Sequence, residues 1–418
     1  MDLALLILIY RELISHTDLY QKKCLFGYSL SVAFKGSLKR KPIKNAPKLN
    51  MTGKRIFNHD IMHCTHDAVL GNYLYSGRVL GMTEPDDLIQ LHPDIQSQWT
   101  AITKHYDRIG LSYSQNPIWD VSFDRLRDYP DYQPSVFIFG DAIHDEDAND
   151  DWFRERNRNW QDVVEFINSK NNFIRLAEEL NVRVPKTLCA ENKAQLQEYD
   201  RIPYPCYLKP AVSVDGVGIY RCGDPAELDN ALAELANNIP LQLQQEVTAT
   251  KFLNLQYRVE RADVEPLAAT EQILDGFAHQ GNRYPTAYQP WELVEPMAQW
   301  MTAKGMKDIF AFDVAVVKTE TGVDYFAIEC NPRFNGASYP TGIAQKLKID
   351  RWCSDNFATK YHSLEEIDLG ELSYDPHTKT GVILVNWGSV LVGKVGVLLA
   401  GSIEQQEALR RSLRQKLN

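Results

Sequence analysis

Three side chains with metal-binding oxygens, Asp313, Glu329 and Asn331, lie in or just after apolar segments of the sequence. A carboxylate inside an apolar strand is costly to bury unless it is paired or bound to a metal ion. Two carboxylates and an amide oxygen form a hard, oxygen-rich set that suits Mg²⁺ carrying nucleotide phosphates. Arg333 follows closely and supplies a fixed cation where phosphate would lie. A structural ion pair between Arg333 and one of the acids is the alternative, but the order and spacing favour a binding site.

A β-hairpin is the element that must position these groups. Its predicted strands are 310–318 and 323–330, which are rich in Phe, Val, Tyr, Ile and Ala and are joined by a turn that ends in Gly322. Side chains alternate along a strand, so Glu329 and Asn331 point to one face. Asp313 shares that face only in some registers of the antiparallel pair, and the sequence does not set the register.

Two earlier stretches could contact a nucleotide. In the first, Lys209 ends a predicted strand, and a loop follows whose amides could surround phosphate oxygens; the loop contains Ser213, Gly216 and Gly218. In the second, a strand that begins at Leu241 ends in residues that could meet an adenine edge through a carboxylate and backbone groups; these are Gln245, Glu246 and Val247. Taken alone, a hairpin with a surface lysine and an exposed polar strand are the better explanations.

The order of these motifs resembles that of the ATP-grasp family, and the likeness covers residues 160–347. It implies that loop 211–218 is the glycine-rich lid and that Glu246 is the hinge acid that meets the adenine. It further implies two nucleotide-binding lysines, Lys170 and Lys209, and three Mg²⁺ ligands, Asp313, Glu329 and Asn331.

The Asn331–Arg333 motif, with Ser338 beyond it, is similar to the ATP-grasp halves of carbamoyl phosphate synthetase. That resemblance implies that Arg333 contacts the transferring phosphate and, with Lys209, acts in catalysis. The chain differs from D-alanine–D-alanine ligases, since Ala311 occupies the place where they carry an arginine.

The resemblance implies an α/β chain of the α+β ATP-grasp type, with two subdomains that clasp ATP behind a small N-terminal α/β domain. The expected divisions are a leader of uncertain status (1–45), the N-terminal domain (46–150) and the ATP-grasp domain (151–418). Within the last, the lid subdomain is expected at about 185–247 and the portion with the metal site at 248–418. Expected elements include strands at 73–82 and 135–139 and helical segments on either side of 169–172.

The implied activity is that of an ATP-dependent ligase that joins a carboxylate to an amine through an acyl phosphate, with ATP and Mg²⁺ (or Mn²⁺) as cofactors. An amino acid or peptide is the expected substrate. A phosphotransferase, a carboxylase-type enzyme and a degenerate ATP-binding module are the alternatives. Segment 270–285 is expected to be a polar loop near the active site, and it contains His279 and Asn282. The candidate substrate residues are Arg258, Glu271, Gln272, Arg283 and Ser338.

The amino-acid composition is typical of a globular protein. The chain has 418 residues, 44% hydrophobic and 24% charged, with a formal net charge of −10, which disfavours a general nucleic-acid binder. Its seven cysteines are scattered and never form CxxC, so we expect reduced thiols and a cytoplasmic protein. A homodimer is left open.

Three further patterns are given structural interpretations. Segment 3–10 is too short to span a bilayer, and segment 381–401, which contains Asn386 and Lys394, is expected to form two buried strands with a turn. Gly388–Lys394 matches the start of a phosphate-binding loop, but Val395 replaces the Ser or Thr that would hold Mg²⁺. A cluster of metal-capable side chains lacks a zinc signature and is interpreted as a surface helix or part of the substrate site; it comprises His59, Asp60, His63, Cys64, His66 and Asp67.

Overall fold

The computed structural model describes residues 53–62, 71–138, 153–196, 202–213, 218–275 and 278–418. Several sequence expectations lie outside these residues. They concern the leader 1–45, the glycine Gly216, and the cluster members His63, Cys64, His66 and Asp67.

The N-terminal part contains a four-stranded parallel sheet in the order β3-β2-β1-β4. The strands are β1 (Arg55–Asn58), β2 (Leu88–Gln90), β3 (Asn116–Ile118) and β4 (Gln133–Val136). Helix α1 (Trp99–Ile109) makes the connection between β2 and β3, as a parallel pair requires. The expected strand at 135–139 is therefore present but ends at Val136.

The expected strand at 73–82 is wrong, because Asn72–Met82 is a 3₁₀ helix. The residues that suggested a strand, such as Leu74 and Val79, are buried. When a segment is buried on several sides, the spacing of its apolar residues does not distinguish a helix from a strand. Gly77 allows close packing here, since a Cβ at this position would lie 2.6 Å from the ring of Trp387. The Trp387 indole N–H donates to the Gly77 carbonyl at 2.8 Å.

A second, antiparallel sheet has the order β5-β8-β6-β7. Its strands are β5 (Thr187–Ala190), β6 (Cys206–Pro210), β7 (Tyr220–Cys222) and β8 (Leu241–Gln245). Two helices precede it, α2 (Arg158–Asn168) and α3 (Lys170–Glu179), and the break between them at Ser169 is where the sequence predicts it.

The third sheet is antiparallel and has eight strands in the order β13-β12-β9-β10-β11-β14-β16-β15. The strands are β9 (Lys251–Glu260), β10 (Asp263–Asp275), β11 (Ala278–Tyr284), β12 (Asp308–Lys318), β13 (Val323–Asn331), β14 (Trp352–Ala358), β15 (Gly381–Asn386) and β16 (Lys394–Ala400). Four helices flank these sheets: α4 (Pro225–Glu234), α5 (Trp291–Ala303), α6 (Ser338–Leu347) and α7 (Ile403–Leu417).

Two sequence interpretations of this sheet have different outcomes. The two buried strands expected at 381–401 are confirmed as β15 and β16, and the phosphate-loop resemblance at Gly388–Lys394 is only the connection between them. The expected polar loop at 270–285 is wrong, because this segment forms most of the β10–β11 hairpin. None of the helices in the described part of the chain is long and apolar enough to cross a bilayer.

One hydrophobic core joins the N-terminal sheet to the last strands of the third sheet. It contains Phe57 of β1, Ile343 of α6 and Leu384 and Leu398 of β15 and β16. Because these residues bury one another, the N-terminal part is held against the C-terminal strands. The candidate site lies beside the β12–β13 hairpin, between the second and third sheets.

Candidate functional site

A row of polar residues crosses four neighbouring strands of the third sheet. Glu329 of β13 lies opposite Asp313 of β12, Asp313 lies opposite Asn254 of β9, and Asn254 lies opposite Thr270 of β10. Directly opposed residues of antiparallel strands point to the same face. The hairpin is therefore confirmed, and its register brings Asp313 and Glu329 together on one face.

Two amides hold the Asp313 carboxylate in place. Asn254 Nδ2 donates to Oδ1 at 2.8 Å, and Asn331 Nδ2 donates to Oδ2 at 3.0 Å. Burial and the neighbouring charge of Glu329 raise the pKa of Asp313 to about 7. The Asn254 side-chain oxygen is buried without a hydrogen-bond partner. Neutral amides thus hold the Asp313 carboxylate.

Two lysines approach the acids from the side of the second sheet. Lys170 Nζ lies 3.3 Å from Glu329 Oε2 and donates to Ser213 Oγ at 3.1 Å. Lys209 Nζ donates to Gln244 Oε1 at 2.8 Å, and burial lowers the pKa of Lys209 to about 8. Burial acts to raise the pKa of Glu329, but the charges of Lys170 and Lys209 outweigh it and hold that pKa below its ordinary value.

These groups line a cavity of about 470 Å³ between the second and third sheets. One part of its wall is apolar and could enclose a planar ring; it includes Pro185, Ile219, Val247, Phe252, Leu274 and Ile328. The other part is the polar row with both lysines, and Arg333 lies in the same wall. Arg333 donates to Asn168 Oδ1 at 2.9 Å. A cavity with an apolar end and a strongly charged end fits a nucleotide with its base and phosphates.

The structure brings most of the predicted nucleotide residues to this cavity, but it does not bring the Glu246 carboxylate. Gln245 and Val247 line the wall, as does Ser213. Glu246 instead accepts two hydrogen bonds from Arg221, at 2.8 and 2.9 Å, and one from the Tyr207 hydroxyl at 2.6 Å. Its carboxylate is satisfied by these partners, so any adenine contact at this position must come from the backbone. Gly218 has a φ of 77° and lies outside the wall.

Only one of the predicted substrate residues, Gln272, lines the cavity. Its neighbour Glu271 points to the other face of β10 and pairs with Lys251. Arg258 lies four residues beyond Asn254 along β9, which is about 13 Å away, and it pairs with Glu260 at 3.5 Å.

The remaining two substrate candidates are also held elsewhere. Arg283 lies 3.5 Å from Glu407 of α7. Ser338 is buried at the start of α6, where its hydroxyl accepts from the backbone N–H of Asn335 at 3.1 Å. These two side chains do not reach the cavity wall.

Sequence reasoning missed Asn254, Gln244, Asn168 and Asn335, all of which line the cavity. A signal for the first was present, since Asn254 and Gln256 alternate with the buried Leu253 and Leu255 in β9. Such alternation predicts a polar face on a strand.

Comparison with known proteins gives matches only among solved structures. No family model matches the chain, and no curated protein sequence matches it. The ADP complex of PurK, an N5-carboxyaminoimidazole ribonucleotide synthetase, superposes with a TM-score of 0.56 and 15% identity over 86% of this chain and 96% of that chain. N5-carboxyaminoimidazole synthetase from Staphylococcus aureus gives a TM-score of 0.56 with 10% identity, over 89% of this chain and 100% of that chain.

The biotin carboxylase domain of the Hydrogenobacter thermophilus 2-oxoglutarate carboxylase gives a TM-score of 0.55 with 11% identity, over 88% of this chain and 90% of that chain. The chain has the ATP-grasp fold. The fold class expected from the sequence is thereby confirmed. The carboxylase domain was solved with MgADP, ADP and bicarbonate. The expected cofactors, ATP and Mg²⁺, agree with these ATP-grasp complexes.

Proposed function

We propose that this chain is an ATP-dependent ligase that activates a carboxylate as an acyl phosphate and joins it to an amine. The observation that carries the proposal is the polar end of the cavity. Lys170 and Lys209 are both buried there beside Asp313 and Glu329, and Arg333 lies in the same wall. Two buried ammonium groups beside a pair of acids form a site for a polyphosphate that arrives with a divalent cation.

The residues of the acid pair fit a metal ion. Asp313 and Glu329 lie side by side, and burial together with repulsion from Glu329 raises the pKa of Asp313. A divalent cation would offset both effects. The unpartnered side-chain oxygen of Asn254, whose amide contacts Asp313, is a further oxygen donor near the acids and supports this assignment. Asp313, Glu329 and Asn331 would hold Mg²⁺ or Mn²⁺, which when bound offsets phosphate charge.

The chemistry then needs no protein nucleophile. A carboxylate oxygen of the acid attacks the γ-phosphorus, the bond from this phosphorus to the β,γ-bridging oxygen breaks, and ADP leaves. Lys170 and Lys209 hold the phosphate oxygens, and Arg333 stabilises the charge on the group in transfer. The amine attacks the acyl carbon, the carbon–oxygen bond to phosphate breaks, and the nitrogen loses a proton as the amide forms.

An isotope experiment tests this sequence of steps. With MgATP, an amine and an acid labelled with ¹⁸O in its carboxylate, one labelled oxygen should appear in inorganic phosphate for each ADP released. Hydroxylamine in place of the amine should trap a hydroxamate. A stable phosphorylated acid would indicate a phosphotransferase instead, and an absence of MgATP binding would contradict every enzymatic interpretation.

The matched variants for this test lie in one hairpin. Glu329→Gln removes a proposed metal ligand and should lower turnover by about a thousandfold or more, because the phosphate charge is no longer offset. Glu320→Gln changes an exposed residue in the turn of the same hairpin and should leave turnover unchanged. Near-normal turnover in Glu329→Gln would contradict the metal assignment.

A carboxylase-type enzyme is the second candidate, in which bicarbonate is the acid. The comparison that favours it is with N5-carboxyaminoimidazole synthetases and a biotin carboxylase domain, the latter solved with bicarbonate. Its test is ADP release in buffer freed of carbon dioxide. Release that requires added bicarbonate, with ¹³C from bicarbonate in the product, would favour this candidate over an organic acid.

A further inference from the structure

A second cavity, of about 340 Å³, adjoins the nucleotide cavity. The two share four wall residues: His279, Arg333, Asn335 and Gly336. Most of the second wall otherwise comes from the N-terminal part, through Tyr75, Arg78 and Phe137, from the start of α6, through Tyr339, and from strands β14 to β16. A molecule in this cavity would therefore meet the phosphate end of the nucleotide at Arg333.

Arg78 is the distinctive group of this cavity, because aromatic rings surround its cation without neutralising it. Its guanidinium carbon lies 4.3 Å from the ring centroid of Tyr339, 5.1 Å from that of Phe137 and 5.2 Å from that of Tyr75. Its Nε is buried without a hydrogen-bond partner. Within the described residues, no carboxylate lies within ion-pair distance of Arg78. The rings fix the guanidinium and leave its charge available.

Among the described residues of the second wall, the one acid does not balance the charge of Arg78. Asp355 accepts from Arg410 Nε at 2.6 Å and from the backbone N–H of Asn356 at 2.8 Å. Its own negative charge is therefore compensated by a residue of α7. Arg78 therefore contributes a positive charge to the cavity that no described carboxylate neutralises, which favours an anionic ligand.

The positions of the two arginines limit the size of that ligand. Their guanidinium carbons lie 5.1 Å and 5.8 Å from the same ring centroid, that of Phe137, so they are separated by no more than the sum, about 11 Å. A planar guanidinium binds a carboxylate or phosphate through two parallel hydrogen bonds. A short molecule with an anionic group at each end could contact both guanidinium groups.

We propose that the second cavity binds an acid substrate with two anionic groups, one of which Arg78 holds while the reactive carboxylate lies at Arg333. The group held by Arg78 is a carboxylate or a phosphate monoester, since a guanidinium binds both through the same paired hydrogen bonds. The assignment of the reactive end depends on the proposed ligase function. The binding of a molecule with two anionic groups does not depend on the ligase function, so it can be measured without turnover.

Titration calorimetry on the full chain tests the proposal with three probes: glutarate, 3-phosphoglycerate and glutaramate, in which one carboxylate of glutarate is an amide. Glutarate and 3-phosphoglycerate are the dianions of this comparison in the sense that each has two anionic groups, although the phosphate of the second itself carries nearly two charges. At least one dianion should bind about 30-fold more tightly than glutaramate, because the amide loses a charge-assisted pair. The dianion that binds identifies the second anionic group. If neither dianion binds, or if glutaramate binds equally well, the proposal is wrong.

Variants of Arg78 connect the preference to this residue. Arg78→Gln should reduce the preference for the dianion to about threefold or less, and Arg78→Lys, which keeps the charge, should restore part of it. Arg411→Gln removes an exposed arginine of α7 and should change nothing. An unchanged preference in Arg78→Gln would overturn the proposal, and unchanged melting temperatures exclude unfolding as the cause of a loss.

MgATP binding, measured on the same samples, separates the two proposals. A chain that binds MgATP but shows no dianion preference contradicts the second cavity as a substrate site and leaves the ligase proposal intact. A chain that binds the dianion through Arg78 but never binds MgATP contradicts the ligase proposal alone.

Discussion

Nucleotide binding should restore the charge of Lys209 at alkaline pH. Burial lowers the pKa of Lys209 from 10.5 to about 8, so about one tenth of the unliganded protein carries this charge at pH 9 and about nine tenths at pH 7. Bound phosphates should return the pKa to about its ordinary value of 10.5. We therefore expect Lys209 to take up about 0.9 proton per nucleotide at pH 9 and about 0.1 at pH 7, where a proton released from Asp313 would lower the net uptake further.

Calorimetric titration of MgATP in buffers with different ionisation enthalpies measures this uptake. Asp313 does not interfere at pH 9, because its pKa of about 7 leaves it ionised before and after binding. Lys209→Met should remove the uptake at pH 9, and Lys209→Arg, which stays charged, should remove it as well. Uptake that is equal at pH 7 and pH 9, or that persists in Lys209→Met, would refute the reasoning.

The same group should make the stability of the unliganded protein depend on pH. The folded pKa of about 8 lies below the unfolded value of 10.5, so the unfolded chain binds more protons between these values. Stability should therefore rise between pH 8 and pH 10.5, and the drop in pKa corresponds to about 3 kcal/mol. Denaturant titrations of the wild type and Lys209→Met at pH 7.5 and pH 10 would show whether the rise belongs to Lys209.

Two further predictions concern the acids of the site. The pKa of Asp313 is raised from 3.8 to about 7, so between these pH values the folded protein binds a proton that the unfolded chain does not, and its stability falls as the pH rises. Asp313→Asn lacks this titration, so its melting temperature relative to wild type should increase from pH 5 to pH 8. A constant difference would contradict the pKa assignment. Glu246→Gln should change the KM for ATP by about threefold or less, because the Glu246 carboxylate contacts Arg221 and Tyr207 rather than the cavity. A change of about a hundredfold would instead indicate that this carboxylate contacts the nucleotide.

The metal hairpin was predictable because its signals are local. The apolar runs on either side of Gly322 define two strands, and side-chain alternation puts Glu329 and Asn331 on one face. Helix α4 was predictable for the same reason, since Asp224 caps its first turn through the Glu227 backbone N–H at 2.9 Å. Such features need only neighbouring residues.

The parts that sequence reasoning missed depend on distant residues. Asn254 reaches Asp313 only because β9 pairs with β12, a register that no local pattern determines. The direction of the Glu246 side chain depends on Arg221 of β7, and the 3₁₀ helix Asn72–Met82 depends on its packing against Trp387. In each case a tertiary contact decides between local alternatives of similar energy.

The core shared by β1, α6, β15 and β16 affects the order in which parts of the protein can fold. Every residue of the nucleotide cavity precedes Ala337, whereas the second cavity also needs Val385 and Val397. The N-terminal sheet cannot complete the core around Phe57 and Ile89 until β15 and β16 have been synthesised, because their residues belong to the same core. Until then we expect part of this apolar surface to be exposed, and a nascent chain in this state should bind chaperones that recognise exposed apolar segments.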